Sequence, residues 1–478
     1  MNIHKFELDG DYFIIDPSSG AVHIADAETF RVLDGLTRES LVENAQKSEI
    51  HAELYNLYKD GLLFSEDDSE FRKFAETSVT APLKALCLHV SHDCNLRCRY
   101  CFAKDGTYGG NASTMTVETA VAALDFMVAN SGGRVDLEAD FFGGEPLMAW
   151  DTVTAAVKYA RENESKWGKR FRFTITTNGL LLNDEKIRFI NDEMSNCVLS
   201  LDGRKAVNDK ARPTKNGTGS FDLVLDNFRK LTRSRTKPGF TDCYVRGTFT
   251  AYNLDFAEDI VEMSRLGFRD VSIEPVTVAV NADLPESPDF PDYAILPVHI
   301  PQIYEQYERL FRLVKSGEQD VNFFHFNVDL SGGACVIRRL RGCGCGNDYM
   351  AVSPDGDVYP CHRFVGNDEW VMGNVRDEVL DVKVKEYFTK THIYSKSDCA
   401  GCWARFYCSG GCNASSYDSH GDCRVTKSDS VECLMMKKRL ECAIALGALK
   451  ITGVLGALPQ TPRVTGVLGA LPQTPRAF

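Results

Sequence analysis

Between residues 85 and 274 the chain alternates two patterns. Short apolar, β-branched runs fall at 85–90, 135–142, 171–176, 197–201, 243–249 and 271–274. Between them, at 117–129, 152–162, 184–193, 221–231 and 256–266, apolar residues recur three to four positions apart. Strands that alternate with helices predict parallel pairing, because parallel neighbours need a crossover. Six such units are visible where a closed barrel has eight, so the pattern predicts an α/β fold with an open, partial (β/α)6 TIM-like barrel. Functional residues of such a sheet belong at the carboxyl ends of its strands.

Residues 1–78 read as a separate unit in front of that barrel. Strand patterns at 5–8, 12–15 and 21–24 surround the turn cluster Pro17-Ser18-Ser19-Gly20, and helical spacing follows at 27–36, 39–45 and 53–58. Three strands with three short helices predict a winged-helix-like module, and the polar stretch 65–70 begins the link to the barrel. Residues 79–322 take in the barrel and a Pro-rich connector with a helix near 302–314. From 323 to 446 the periodicity fades, and eleven cysteines from Cys335 to Cys442 are separated by glycines and short loops. Such a segment needs metal to hold it. Helical spacing resumes at 433–446. In residues 447–478 the stretch 452–463 recurs unchanged at 465–476, too few copies for a solenoid and rich enough in Gly and Pro to predict a flexible tail.

Composition narrows the functional classes. At 44% hydrophobic and 25% charged residues the chain is ordinary globular protein. A net charge of −13 disfavours a general nucleic-acid binder. No apolar run approaches the roughly 20 residues of a membrane span, and the first seven residues have no basic-then-apolar export pattern. The expectation is a cytoplasmic protein without nucleic-acid or membrane partners. The 17 cysteines are odd in number and tightly clustered, which favours metal or iron–sulfur ligation in a reducing compartment over a disulfide scaffold.

The first cluster of cysteines follows the first barrel strand. Cys94, Cys98 and Cys101 are spaced C-x3-C-x2-C, so three thiolates on one loop can converge on an inorganic cluster. A four-iron cube needs four ligands, and three cysteines leave one iron free. A zinc knuckle lacking its fourth ligand is the competing reading. The second strand ends in Gly143-Gly144-Glu145-Pro146, the third in Thr176-Thr177-Asn178-Gly179 and the fourth in Ser200-Leu201-Asp202-Gly203. Each alone reads as an ordinary turn. Together they should ring one mouth.

These residues resemble the radical S-adenosylmethionine (SAM) superfamily, over about residues 83–275. The resemblance implies that Cys94, Cys98 and Cys101 hold a [4Fe–4S] cluster whose free iron chelates the amine and carboxylate of SAM. It implies further that Gly143, Gly144, Glu145 and Pro146 line the amine and that Phe102 packs on adenine. More loosely, it assigns Ser200, Asp202, Arg212 and Glu274 to the ribose, the carboxylate or the adenosine surroundings.

A second set of cysteines has the order C-x12-G-x4-C through Cys343, Gly356 and Cys361, then C-x2-C-x5-C-x3-C through Cys399, Cys402, Cys408 and Cys412, then Cys433. Structural zinc also suits paired cysteines. The full order resembles the SPASM extension of radical SAM enzymes, over about residues 335–440. By that resemblance Cys343, Cys361 and Cys412 serve one auxiliary [4Fe–4S] cluster, and Cys399, Cys402, Cys408 and Cys433 a second, giving three clusters in all. Cys345 is a possible eighth auxiliary ligand. The tight Cys343-Gly344-Cys345 spacing favours leaving it out, with one iron open to a substrate thiolate, because both thiols could face one cube only through a sharp turn at Gly344. Cys87, Cys197 and Cys243 read as core thiols, and Cys335, Cys423 and Cys442 are unassigned.

Residues 1–78 resemble the winged-helix peptide-recognition element of ribosomal-peptide maturases, whose sheet edge can take an extended leader as an added strand. Segments 6–26, 342–366 and 431–443 are similar to thioether-forming maturases of cysteine-rich peptides. What this implies is a radical SAM oxidoreductase that cleaves SAM to methionine and a 5′-deoxyadenosyl radical, abstracts hydrogen from a peptide carbon and joins that carbon to a cysteine thiol. The implied partners are a cysteine-rich precursor peptide bound through its leader and a one-electron reductant such as flavodoxin or ferredoxin. A formylglycine-forming sulfatase-type maturase and a non-catalytic iron–sulfur electron carrier are the competing readings.

Overall fold

The computed structural model describes residues 3–66, 69–77, 81–240, 242–277, 293–330, 336–377 and 380–453. Cys335, most of the Pro-rich connector and nearly all of the tail repeat lie outside the described residues.

A three-stranded antiparallel sheet opens the chain: β1 (His4–Leu8), β2 (Asp11–Ile15) and β3 (Val22–Ala25), in that order. The main strands follow as β4 (Ala85–Ser91), β5 (Asp136–Gly143), β6 (Arg170–Thr177), β7 (Met194–Ser200), β8 (Asp242–Phe249) and β9 (Asp270–Pro275). They pair in parallel in sequence order, as the alternating pattern predicts. β4 is buried along its whole length, and β6 alternates buried with more exposed positions. The crossover helices Val117–Asn130, Trp150–Trp167, Asp184–Glu193, Phe221–Ser234 and Phe256–Arg265 start within two residues of their predicted positions.

The main sheet is larger than the six-unit pattern. β10 (Asn322–Phe323) adds in parallel beside β9. At the other edge β11 (Tyr349–Val352) pairs in parallel with β4, and β12 (Asp357–Tyr359) and β13 (Gly373–Asn374) continue antiparallel. The result is one ten-stranded sheet, order β10-β9-β8-β7-β6-β5-β4-β11-β12-β13. The cysteine-rich segment is thus built onto the barrel sheet.

Helices such as Val382–Thr389 and Asn413–His420 form within the segment read as loops, and two helices nearer the N-terminus also depart from the sequence pattern. Ser69–Thr77 forms where a polar link is expected, and its Phe71, Phe74 and Ala75 pack with Leu340, Ile393 and Phe406 of the cysteine-rich segment. Lys205–Ala211 is a short helix of mostly polar sequence that buries Val207, Asn208 and Ala211. In the first module the helices are Ala27–Val32, Arg38–Glu43 and Glu49–Lys59; the last starts earlier than its apolar spacing suggests because Ser48 caps it.

Phe141, Phe171 and Phe173 stack in the barrel core at centroid separations of 5.6 and 5.7 Å and are fully buried or nearly so. Truncating Phe173 to Ala leaves a cavity between its two neighbours and is expected to cost about 3–5 kcal/mol. Urea unfolding of the variant should show a lower midpoint with an unchanged slope.

Candidate functional site

Loops at the carboxyl ends of the barrel strands and loops of the cysteine-rich segment share one cavity of about 740 Å³. Cys94, Cys98, Cys101, Phe102, Gly143, Gly144, Glu145, Ser200, Arg212 and Glu274 line it. So do Cys343, Cys399, Cys402, Cys408, Cys412 and Cys433. Pro146, Asp202 and Cys361 are buried but lie behind its wall.

The strand end at Gly143 is zipped to the cysteine loop. Gly144 N–H donates to the Ser91 carbonyl at 2.7 Å and Glu145 N–H to that of Asp93 at 2.9 Å. A Cβ at Gly144 would lie 2.2 Å from the Asp93 carbonyl oxygen, so only glycine permits this approach. Glu145 caps the following turn. Its carboxylate accepts from Leu147 N–H at 3.0 Å, Thr177 Oγ1 at 2.7 Å and Asn178 N–H at 2.8 Å. Burial nevertheless pushes its pKa up to about 7. The Asn178 amide reaches back to Cys94 Sγ at 3.6 Å and Asn95 Oδ1 at 2.7 Å.

Asp202 serves the site from behind. It accepts from Tyr100 Oη at 2.7 Å and Thr248 N–H at 2.9 Å and pairs with Arg212 Nε at 3.0 Å. Its carboxylate therefore orients Arg212, which reaches Cys98 Sγ at 3.9 Å. Glu274 is held by Arg439 at 3.2 Å and His325 at 3.2 Å.

Burial pushes the thiols of Cys94 and Cys98 up to about 12. Metal uptake at this loop must release their protons. The three thiols influence one another electrostatically and edge a space. Among the described residues no three Cys, His, Asp or Glu side chains close on a single ion. A donor set of spaced thiolates fits a multi-iron cluster.

The remaining cysteines fall into two groups. Cys399, Cys402, Cys408 and Cys433 act on one another. Cys343, Cys345, Cys361 and Cys412 form the other. Here Gly344 takes a left-handed conformation: φ is +81°, and a Cβ would lie 1.8 Å from Asp348 Oδ1. Gly346 N–H donates to the Pro360 carbonyl at 2.8 Å, and Cys345 and Cys361 pack in one buried cluster. Beside the Cys345 thiol, Cys361 is held below the ordinary thiol range against the opposing effect of burial. Cys423 is fully buried beside this group. Cys87 lies in β4, also close to Cys361. Cys197 and Cys243 stand opposite each other across β7 and β8, both as free thiols.

Two cavity residues escape the motif reading. The His362 ring lies 5.9 Å from Phe102 and 5.3 Å from Phe142, and His362 bonds Tyr349 Oη at 3.0 Å. Arg363 reaches Cys412. The available signal is position: both directly follow Cys361.

Residues 88–251 match the radical SAM superfamily, and residues 343–403 match an iron–sulfur cluster-binding domain, SPASM. Among curated proteins, the radical SAM cyclopropyl synthase TigE of Paramaledivibacter caminithermalis is 20% identical, over 84% of this chain and 86% of its own. A cysteine-type anaerobic sulfatase-maturating enzyme of Clostridium novyi is 25% identical, over 69% and 87%. Two solved structures share the fold. anSMEcpe with bound AdoMet and Cp18Cys peptide has a TM-score of 0.61 at 19% identity, covering 78% of this chain and 99% of that one. SuiB of Streptococcus suis bound to its precursor peptide SuiA has a TM-score of 0.52 at 15% identity, covering 90% and 98%. No described helix is long and apolar enough to cross a membrane.

Gly144→Ala should push the cysteine loop off the β5 end. SAM affinity of the anaerobically reconstituted variant, measured by calorimetry, is expected to fall at least tenfold, about 1.4 kcal/mol, with an unchanged circular dichroism spectrum. Wild-type affinity would show that this approach does not position SAM.

Proposed function

Because the chain carries a radical SAM domain followed by a SPASM iron–sulfur domain, we propose that it installs thioether crosslinks between cysteine thiols and carbons of a ribosomally made precursor peptide. The observation that carries this reading is the single cavity shared by Cys94, Cys98 and Cys101 with cysteines of both auxiliary groups. A peptide thiol held at the auxiliary side stands in the same chamber as a carbon radical made at the first loop. Relatives named for peptide substrates, the SuiB–SuiA and anSMEcpe–Cp18Cys structures, support a peptide partner.

In this reading Cys94, Cys98 and Cys101 hold the SAM-binding [4Fe–4S] cluster, and the two auxiliary groups hold one cluster each. The first cluster supplies the electron that cleaves SAM and so starts hydrogen abstraction from the peptide. The protein's own work is placement. Gly143, Gly144 and Glu145 offer backbone groups to the SAM amine, while the Glu145 carboxylate is taken up by Leu147, Thr177 and Asn178. Arg212, oriented by Asp202, faces the carboxylate, and Phe102 offers a ring face. Phe142, His362 and Tyr349 wall off water between the first loop and Cys361. The sheet β1–β3 provides an edge for the leader as an added strand. An external one-electron reductant completes the turnover.

The sulfatase-maturating relatives favour one alternative, formylglycine formation, which needs an acidic base. The two glutamates at barrel-strand ends that line the cavity, Glu145 and Glu274, are already bound within the protein.

Incubation with SAM, reductant and a leader-bearing, cysteine-rich peptide should yield deoxyadenosine and a peptide lighter by two hydrogens per crosslink, with thiols consumed and no aldehyde. An aldehyde-reactive product would favour formylglycine formation. The triple variant Cys94→Ala, Cys98→Ala, Cys101→Ala should make no deoxyadenosine while keeping its auxiliary iron; persistent SAM cleavage would sink the assignment.

The position of Cys345 generates a separate expectation. Because it packs in one buried cluster with Cys361, we propose it as a fourth sulfur of the first auxiliary group. Cys345→Ala should then lose about four irons per chain, one cube, by chemical iron assay. Full iron content would return that group to three ligands and an open site.

A further inference from the structure

We infer that Arg363 is a positioning residue for the first auxiliary iron–sulfur site, donating a charged hydrogen bond to the Cys412 sulfur and raising the reduction potential of the cluster held there. This rests on the proposed assignment of Cys343, Cys361 and Cys412 to one cluster.

The geometry is specific. Arg363 Nη1 lies 3.3 Å from Cys412 Sγ and 2.7 Å from Ser415 Oγ, and Nη2 lies 2.5 Å from Asp418 Oδ2. The side chain is only 11% exposed. It is fixed at both ends: its backbone N–H points to Cys361, and its fork is clamped by residues of the helix Asn413–His420, whose first turn follows Cys412. A planar guanidinium can satisfy sulfur, hydroxyl and carboxylate together; a lysine ammonium cannot reproduce that fork. In the second group Cys399 Sγ pairs with a neutral hydroxyl, Thr426 Oγ1, at 3.5 Å, and the cations Lys396 and Lys437 act on Cys399 and Cys433 through charge.

Hydrogen bonds to sulfur, local charge and exposure set iron–sulfur potentials. A buried cation beside a ligand sulfur stabilises the reduced cluster, which carries one more negative charge. The partner Asp418 opposes it. The direction matters for the proposed reaction. When a peptide thiolate joins a carbon radical, the new carbon–sulfur bond leaves one surplus electron, and an oxidised iron–sulfur cluster takes it and becomes reduced. A raised potential makes the Arg363 site a better electron acceptor than the same site without that cation.

The test uses the full-length chain, anaerobically reconstituted, in the background of Cys94→Ala, Cys98→Ala and Cys101→Ala so that only auxiliary clusters contribute. Iron content is assayed first, and potentials are then titrated by electron paramagnetic resonance. Arg363→Gln should keep its iron and shift one auxiliary signal to lower potential, by at least tenfold in the reduction equilibrium, about 59 mV for one electron. Arg363→Lys should fall between. Asp418→Asn, which removes the opposing charge, should shift the same signal upward. Full iron with an unmoved potential in Arg363→Gln overturns the proposal. Should Arg363→Gln shed iron, Asp418→Asn decides alone, and an unmoved potential there overturns it as well. Failure of the parent chain to take up auxiliary iron overturns the cluster assignment itself.

Discussion

The parallel pairing of β11 with β4 is the contact on which the rest of the site depends. β4 is the first barrel strand and would otherwise present an unpaired edge, which native sheets cover. Tyr349, Met350, Ala351 and Val352 stand opposite Ala85, Leu86, Cys87 and Leu88. The Asp348 carbonyl extends the match by accepting from the N–H groups of Lys84 and Ala85 at 2.8 and 3.0 Å. β4 leads into the Cys94 loop, and β12 returns antiparallel into Cys361. The turn after Cys361 comes back against the first loop: a Cβ at Gly366 would lie 2.4 Å from the Tyr108 carbonyl oxygen. Two cysteine sets more than two hundred residues apart thereby face one cavity.

The first loop is held rigid by buried polar pairs. Asp202 with Arg212, and Glu145 with Thr177 and Asn178, tie the ends of β5, β6 and β7 to the cysteine loop. Such pairs add little net stability, but losing one partner leaves a buried charge uncompensated, at about 3–5 kcal/mol. They are better understood as fixing geometry. Glu145 holds the Asn178 backbone and Asp202 the Arg212 guanidinium, and both side chains reach cysteine sulfur.

Where a physical pattern is strong, the fold was legible in the chain. Apolar strands such as 243–249 and amphipathic helices such as Phe221–Ser234 announce themselves by period. Cysteine spacing announced which thiols travel together. Less visible were features decided by tertiary contact. β11 is four residues long among glycines and cysteines and carries no period of its own. Ser69–Thr77 is polar in sequence and helical because Phe71 and Phe74 find apolar partners far along the chain. Asp202 looks like a ligand contact in its turn motif, yet its carboxylate is used by Tyr100, Thr248 and Arg212. The direction of the Cys345 thiol depends on the backbone at Gly344, which spacing alone does not disclose.

The first module is joined to the second auxiliary group as well as to its own core. His4 stacks on Trp403 with ring centroids 4.0 Å apart and bonds Glu441 at 3.0 Å. Ser18 accepts from Arg405 at 2.9 Å, and the Gly20 carbonyl accepts from Tyr407 at 3.3 Å. Trp403, Arg405 and Tyr407 all lie between Cys402 and Cys408. The N-terminal strands therefore form part of the wall that supports the loop carrying those cysteines. An arm that only captured peptide would need no such contact. A strand added to β1–β3, as proposed for a leader, would act on a body already seated against the Cys402–Cys408 loop.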